Sequence, residues 1–318
     1  MFRAVALQQS ITRAAELLGR VPSNVTTRIQ QLEAEVGVPL FQRDRKRMEL
    51  TPEGVAFLDY AEKILNLADE AVQVVNPAGP RGVLRVGSME SAVATRLASP
   101  LAQFNARWPE VALDLTTGPT RQLVDALLAR RIDCAFVAAP SEAWWEASDA
   151  LDRTPVFREE LVLLLPPGHP RAARPEQIGP RALAAFAPGC TYRMLAEDWI
   201  AGSASRPVAL QVHEVRSYHA MVACTAAGAC FSVLPRRVLD LFPDAARFTV
   251  VPLVRADTWL VSRPGFKTPA FEAFRDLVVA SSDFAGRGMP QRAHSAAAAR
   301  DPAIGRARGA GSPLDHQR

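Results

Sequence analysis

Apolar positions keep a helical period through the first fifty residues. Ala14, Ala15, Leu17 and Leu18 share one face of a helix that Thr12 would cap and Gly19 would stop. Pro22 opens a second helix, in a turn that has no internal N–H partner to lose. Val25, Ile29, Leu32 and Val36 form its apolar side before Gly37 ends it, leaving Ser23, Asn24, Thr26, Thr27, Arg28, Gln30 and Gln31 on the outer side. Leu40, Phe41 and Leu50 then flank a short basic hairpin containing Arg43, Arg45 and Lys46. Thr51, Pro52 and Glu53 give an N-cap, an N1 proline and a first-turn acid. Ala56, Tyr60, Ile64, Leu67, Ala71 and Val74 follow at helical spacing over about 25 residues, or about 37 Å, until Pro77 and Pro80 stop the run. These residues occupy more than one helix face. They suit either packing on the same domain or pairing with a second helix.

From residue 81 strands and helices alternate. Strands are expected at Val83–Gly87, Val111–Thr117 and Cys134–Ala139, with helices over 92–107 and 120–130. A second series begins with a strand at Leu161–Leu165, followed by helices over 193–201 and 217–227 and strands at Phe231–Leu234 and Phe248–Leu253. A strand at Trp259–Ser262 and a helix over 269–281 return to the first series. The pattern is that of α/β lobes with largely parallel sheets. Residues 286–318 show no periodicity and read as a disordered tail.

Two short helices with polar residues bunched at the start of the second match a helix-turn-helix, whose second helix enters the DNA major groove. A small helical bundle with a solvated basic turn passes the same spacing test. Ser10, Thr12, Ala14, Ala15, Leu17, Val25, Ile29, Leu32, Glu33, Gly37, Leu40, Phe41, Arg43, Leu50, Thr51 and Gly54 closely resemble the N-terminal signature of LysR-type transcriptional regulators. The resemblance continues, more weakly, over residues 55–283. The chain departs from it in two places: that family usually has several more residues before the position of Phe2, and often Ser-Gln in place of Val21 and Pro22. The resemblance implies a multi-domain α/β protein in four parts. Residues 1–52 would be a winged helix-turn-helix and 53–79 a long linker and dimerisation helix. Residues 80–285 would be a two-lobed effector domain of periplasmic-binding-protein type 2 plan, with lobe I at about 81–156 and 258–283 and lobe II at about 157–257. The tail, read from its composition and lying beyond the resemblance, is the fourth part.

Charge is unevenly spread over the 318 residues. Residues 1–52 hold eight basic and five acidic residues, residues 53–80 one and five, and the tail six and two. The stretch between is almost neutral, which suits a small ligand better than nucleic acid. No apolar run reaches membrane-spanning length and the first twenty residues do not read as a signal peptide. Cys134, Cys190, Cys224 and Cys230 show no C-x-x-C spacing. A reduced, cytoplasmic protein is the simple expectation.

Ligands of open α/β sheets sit where strands end and helices begin. That rule selects Ser88, Glu90 and Ser91 after one strand and Thr117 and Thr120 after the next. In the second lobe it selects Cys190, Tyr192 and Arg193, then Ser217 and His219. A small polar metabolite bearing a carboxylate is expected there, with Arg193 as the matching charge. Ser and Thr at such places also serve simply as helix caps. Ser23, Asn24, Thr26, Thr27, Arg28 and Gln31, with Arg43, Arg45 and Lys46 of the hairpin, are the candidates for double-stranded DNA. His213, His219, Cys224 and Cys230 fall close together but match no compact zinc pattern. No nucleophile elbow, P-loop, H-E-x-x-H or strand-linked G-x-G-x-x-G is present. The sequence therefore calls for no enzyme, metal or cofactor. It points to a homodimer or dimer of dimers that binds promoter DNA under the control of a small molecule. The alternatives are a two-lobed small-molecule-binding protein with an incidental helical head, or an inactive regulator fragment lacking a complete first helix.

Overall fold

A computed structural model describes residues 1–44, 47–75, 79–139, 151–203 and 210–285. Arg45, Lys46 and the 286–318 segment lie outside the described residues. The head comprises α1 (Phe2–Gln8), α2 (Ile11–Leu17), α3 (Pro22–Val36) and an antiparallel hairpin of β1 (Phe41–Asp44) and β2 (Arg47–Leu50). Its core gathers Phe2, Val5, Ala14, Ala15, Val25, Ile29, Leu40 and Phe41. The Phe2 ring lies 5.1 Å from Phe41 and 5.0 Å from Phe57, joining α1 to both the hairpin and the next helix. Glu33 Oε1 accepts the Leu40 and Phe41 N–H groups at 2.7 and 3.0 Å, which pins the hairpin to α3.

Two details of the head correct the sequence reading. Ser10, not Thr12, caps α2: it is the last extended residue, and its hydroxyl accepts the Arg13 N–H. Leu17 and Leu18 are 66% and 37% exposed rather than buried. α2 ends at Leu17 and packs through Ala14 and Ala15, whose small side chains leave the two leucines turned to the far side.

α4 (Pro52–Val75) begins at Thr51, whose hydroxyl donates to the Pro39 carbonyl at 2.8 Å and accepts the Gly54 N–H at 2.9 Å. Val55, Tyr60, Ile64, Leu67, Val72 and Val74 are exposed along it. Its other side is bonded to the sheet domain. Glu70 Oε2 is 2.9 Å from Arg130 and 3.4 Å from Arg263, and Asn66 donates to the Arg130 carbonyl at 2.7 Å.

The rest is one twisted sheet of eight strands, in the order β4-β3-β5-β10-β6-β9-β7-β8. β3 (Gly82–Ser88), β4 (Val111–Thr117) and β5 (Cys134–Ala139) run parallel in lobe I. β7 (Ala182–Ala185), β8 (Gln211–Glu214) and β9 (Phe231–Pro235) run parallel in lobe II. β6 (Asp152–Pro167) and β10 (Phe248–Ser262) pair antiparallel with each other and pass through both lobes. The sequence marks β6 only at Leu161–Leu165 and β10 as two pieces, Phe248–Leu253 and Trp259–Ser262, and the expected lobe limits fall inside both strands. Polar stretches at Arg153–Glu160 and Arg255–Asp257 broke the apolar pattern. The register shifts near Pro252 and Thr258 bend β10 without ending it. The short alanine-rich strand β7 was not anticipated, since alanine carries little strand signal.

Helices cover the sheet. α5 (Glu90–Ala92), a π-helical turn at Val93–Leu97 and α6 (Ala98–Arg107) follow β3, starting before the residue 92 expected. α7 (Thr120–Leu128) follows β4, and α8 (Thr191–Ser203) follows β7. α9 (Tyr218–Ala226) follows β8, and α10 (Arg236–Leu239) follows β9. α11 (Pro269–Ala280) returns to lobe I, where Phe271, Phe274 and Val278 pack with Phe104 and Phe136. Among the described residues no helix is long and apolar enough to cross a membrane.

Gly54 lies against the Leu40 backbone, where a Cβ would overlap the carbonyl oxygen. Gly54→Ala is expected to cost about 2 kcal/mol or more, lowering the melting temperature and loosening the hairpin from α4. Wild-type thermal unfolding of that variant would show that this approach does not constrain the head.

Candidate functional site

The outer face of α3 is exposed at Ser23, Asn24, Thr27, Arg28 and Gln31, with Thr26 half-buried. The Thr26 and Thr27 hydroxyls donate back to the Pro22 and Ser23 carbonyls at 3.0 Å, and Arg28 Nη1 donates to Gln31 at 3.1 Å. Their rotamers are thus set within the helix while the face stays open. Arg43 lies in β1 of the hairpin.

Between the lobes is a cavity of about 450 Å³. Lobe I lines it with Met89, Glu90, Ser91, Thr117, Thr120 and Gln122, and lobe II with Phe186, Cys190, Tyr192, Glu214, Arg216 and Tyr218. The junction rule therefore brings Glu90, Ser91, Thr117, Thr120, Cys190 and Tyr192 together. The other four expected residues face elsewhere. Ser88 is fully buried and its hydroxyl donates to the Met89 carbonyl. Ser217 is the N-cap of α9, accepting the Ala220 N–H at 3.2 Å. His219 is exposed, its ring 5.0 Å from Phe242. Arg193 is held outside the cavity wall by Glu197 at 2.8 Å, by the Phe186 carbonyl at 3.2 Å and by Glu214 at 3.9 Å. Phe186, Gln122, Arg216 and Tyr218 take wall positions instead. Gln122 sits in the first turn of α7, two residues after Thr120, a position that the junction rule could have reached. Phe186 follows the unanticipated β7.

Contacts across the cleft are specific. Thr191 Oγ1 lies 2.9 Å from Thr120 Oγ1 and 3.0 Å from the Ala138 carbonyl, and the Arg121 N–H donates to the Gly189 carbonyl at 3.2 Å. Thr120 also faces Met89 Sδ at 3.7 Å. Burial pushes the Glu90 carboxyl up from its usual range, against the Tyr218 backbone N–H and the nearby His219. Burial also pushes up the Tyr192 and Tyr218 phenols and the Cys190 thiol, the last despite N–H groups of Tyr192 and Arg193 at the start of α8. The Ser91 hydroxyl interacts with both phenols, and Thr258 with that of Tyr192, which works against the rise, but no tight hydrogen bond fixes the Ser91 and Tyr192 hydroxyls. Away from the cavity, Cys230 Sγ is 3.2 Å from His213 Nδ1.

Behind the cleft, Arg96 bridges Glu159 at 2.8 Å, the Arg158 carbonyl at 2.7 Å and Asp283 at 3.0 Å. Below it, Arg263 Nη1 donates to the Ile132 and Leu127 carbonyls at 2.7 and 3.4 Å, at the far end of α7 from Thr120. The same guanidinium meets Asp133 at 3.7 Å and Glu70 of α4. α7 therefore joins the cavity wall to α4.

Residues 1–55 match the model of the bacterial regulatory helix-turn-helix proteins of the lysR family, and residues 77–283 that of the LysR substrate binding domain. The uncharacterized HTH-type transcriptional regulator YusT of Bacillus subtilis is 34% identical over 283 residues, 87% of this chain and 92% of its own. GltR of the same organism, an HTH-type transcriptional regulator, is 34% identical over 240 residues, 75% of this chain and 79% of its own. Full-length OxyR of Pseudomonas aeruginosa superposes with a TM-score of 0.63 at 22% identity, covering 87% of this chain and 92% of that one. CbnR in complex with its target DNA gives 0.61 at 23% identity, covering 88% of this chain and 97% of that one. At these identities the structural likenesses speak for the fold.

Arg96 and Glu159 have side chains only 7% and 4% exposed. Arg96→Met would leave a buried carboxylate without its counter-ion and is expected to cost about 3 kcal/mol in urea unfolding. The loss should be smaller when Glu159→Gln is added. An unchanged midpoint for the single variant would mean that the pair contributes nothing to stability.

Proposed function

This chain belongs to the lysR family of bacterial regulatory helix-turn-helix proteins, and we propose that it binds promoter DNA as a dimer under the control of a small molecule held between its lobes. In this reading residues 1–52 meet DNA, 53–79 link and pair, and 80–285 sense the effector. Ser23, Asn24, Thr26, Thr27, Arg28 and Gln31 reach base edges and phosphates, and Arg43, Arg45 and Lys46 reach the adjacent backbone. The protein works in the cytoplasm, where the chromosome is, and its role is binding rather than turnover.

The observation that carries this reading is the continuity of α4. One end of the helix is fixed to the head by Thr51 and Phe57. Further along, Glu70 is fixed to lobe I by Arg130 and Arg263. A ligand that moves Thr120 moves α7, and with it the carbonyls and arginines that hold Glu70. A change in the cleft thus biases the direction of the head. CbnR, which shares the fold, is seen with its target DNA. The exposed apolar face of α4, with Ile64 67% exposed, gives a second copy its surface. Pairing there would place two recognition helices about one DNA turn apart.

Arg28→Ala and Lys46→Ala should each weaken binding to the target promoter and lower the salt slope of log K by about one per lost phosphate contact. An unchanged slope in gel-shift titrations rejects the phosphate assignment. Retention that never distinguishes one sequence from another would favour a two-lobed ligand-binding protein with an incidental head.

Leu67→Glu combined with Val74→Glu should give a folded monomer, because both side chains are exposed within one chain. Light scattering measures the mass directly. A wild-type mass for the double variant places the interface away from α4.

A further inference from the structure

A carboxylate is the wrong ligand for the walls that this cavity presents. Three helix starts around it already hold acceptors of the protein. The Glu90 carboxylate faces the Tyr218 N–H at the start of α9. The Cys190 sulfur faces the Tyr192 and Arg193 N–H groups at the start of α8. The Gly189 carbonyl accepts the Arg121 N–H at the start of α7. Arg193, the cation expected to meet a carboxylate, is engaged by Glu197, Glu214 and the Phe186 carbonyl. Among the described lining residues the remaining charges are half-buried Glu90 and, at exposed positions, Glu214 and Arg216. An anion inside would meet Glu90 with no buried cation beside it.

A cation finds the opposite. Glu90 is partly desolvated, with a backbone N–H and the more distant His219 as its supports, and burial disfavours its charged form. Tyr218 and Phe186, whose rings meet edge to face at 4.9 Å, both line the cavity. Such rings attract a cation over their faces. Ser91 and Tyr192 are 3% and 4% exposed, line the same cavity and carry hydroxyls that face each other and the Tyr218 phenol without a tight hydrogen bond to fix them. Buried hydroxyls in that state gain from a well-formed bond to a ligand.

We propose that the cavity takes a small ligand bearing a protonated amine, with Glu90 as counter-ion, the Tyr218 and Phe186 rings beside it and the Ser91 and Tyr192 hydroxyls completing its hydrogen bonds. The inference rests on the reading of the cleft as the effector site. The amine belongs either to a simple alkylamine or to an amino acid whose carboxylate is turned outward to Arg216.

Two matched sets of probes test it on the full-length protein by calorimetry. One is phenethylamine, L-phenylalanine and 3-phenylpropionate; the other is pentylamine, L-norleucine and hexanoate. Amine-bearing members are expected to bind and the acids not. Glu90→Gln should weaken amine binding about ten- to hundredfold. Gln122→Trp, which fills the cavity from an exposed wall position, should abolish it while the unliganded melting temperature stays the same. Amino acids binding above their amines, with the advantage lost in Arg216→Ala, would assign the zwitterion; the reverse order would assign the simple amine. Acids that bind as tightly as the amines, and are blocked by Gln122→Trp, overturn the amine proposal and keep the cleft. Amine binding that survives Gln122→Trp overturns both. Wild-type affinity for an amine in Glu90→Gln, or no binding by any amine-bearing probe, also overturns the proposal.

Discussion

The pairing of β6 with β10 along almost their whole length makes one sheet of what would otherwise be two small ones. Every other strand of this sheet belongs to one lobe, so within the sheet this ribbon is what connects the two lobes. A two-stranded ribbon resists sliding, since a one-residue slip would exchange its faces. It twists and bends more readily, and the register shifts near Pro252 and Thr258 place that freedom beside the cleft. Glu159 lies within the ribbon, opposite Ala256. Its ion pair with Arg96 fastens the π-helical turn of lobe I to it. The cavity's shape therefore depends on the ribbon as much as on its own walls.

The head was the most legible part of the sequence because its signals are local. Pro22, the Val25–Ile29 spacing and Gly37, which ends α3 at a φ of 82°, each act within a few residues. The errors there were also local. Thr12 and Ser10 are both good caps by type, and only the backbone of the preceding turn decides between them. β10 was harder, because Arg255 and Asp257 interrupt its apolar run in the middle of a strand that tertiary pairing holds together.

The cleft was legible as a set of loops but not as a set of side chains. Strand-to-helix junctions place Ser91, Thr120 and Tyr192 on the wall, and equally Ser217, which caps its own helix. Arg193 shows the limit most clearly. It is two residues from the start of α8, yet Glu197 one turn along and Glu214 from the next strand draw it away. Charge partners distant in sequence decided its direction, and periodicity does not encode them. The same limit hid the role of Glu70. It reads as one more acid on a solvated helix until Arg130 and Arg263 arrive from lobe I.

Glu70 also fixes a length. α4 has 24 residues, hence a span of about 36 Å, and Glu70 stands about 27 Å from its first residue at a rise of about 1.5 Å per residue. The arm between the arginines and the head is long compared with the displacements that side chains make. A tilt of about 10° at the arginines would carry the head about 5 Å, more than the roughly 3.4 Å between successive nucleotides of a strand. Small rotations at the sheet are thus geared up to the spacing of the base pairs themselves.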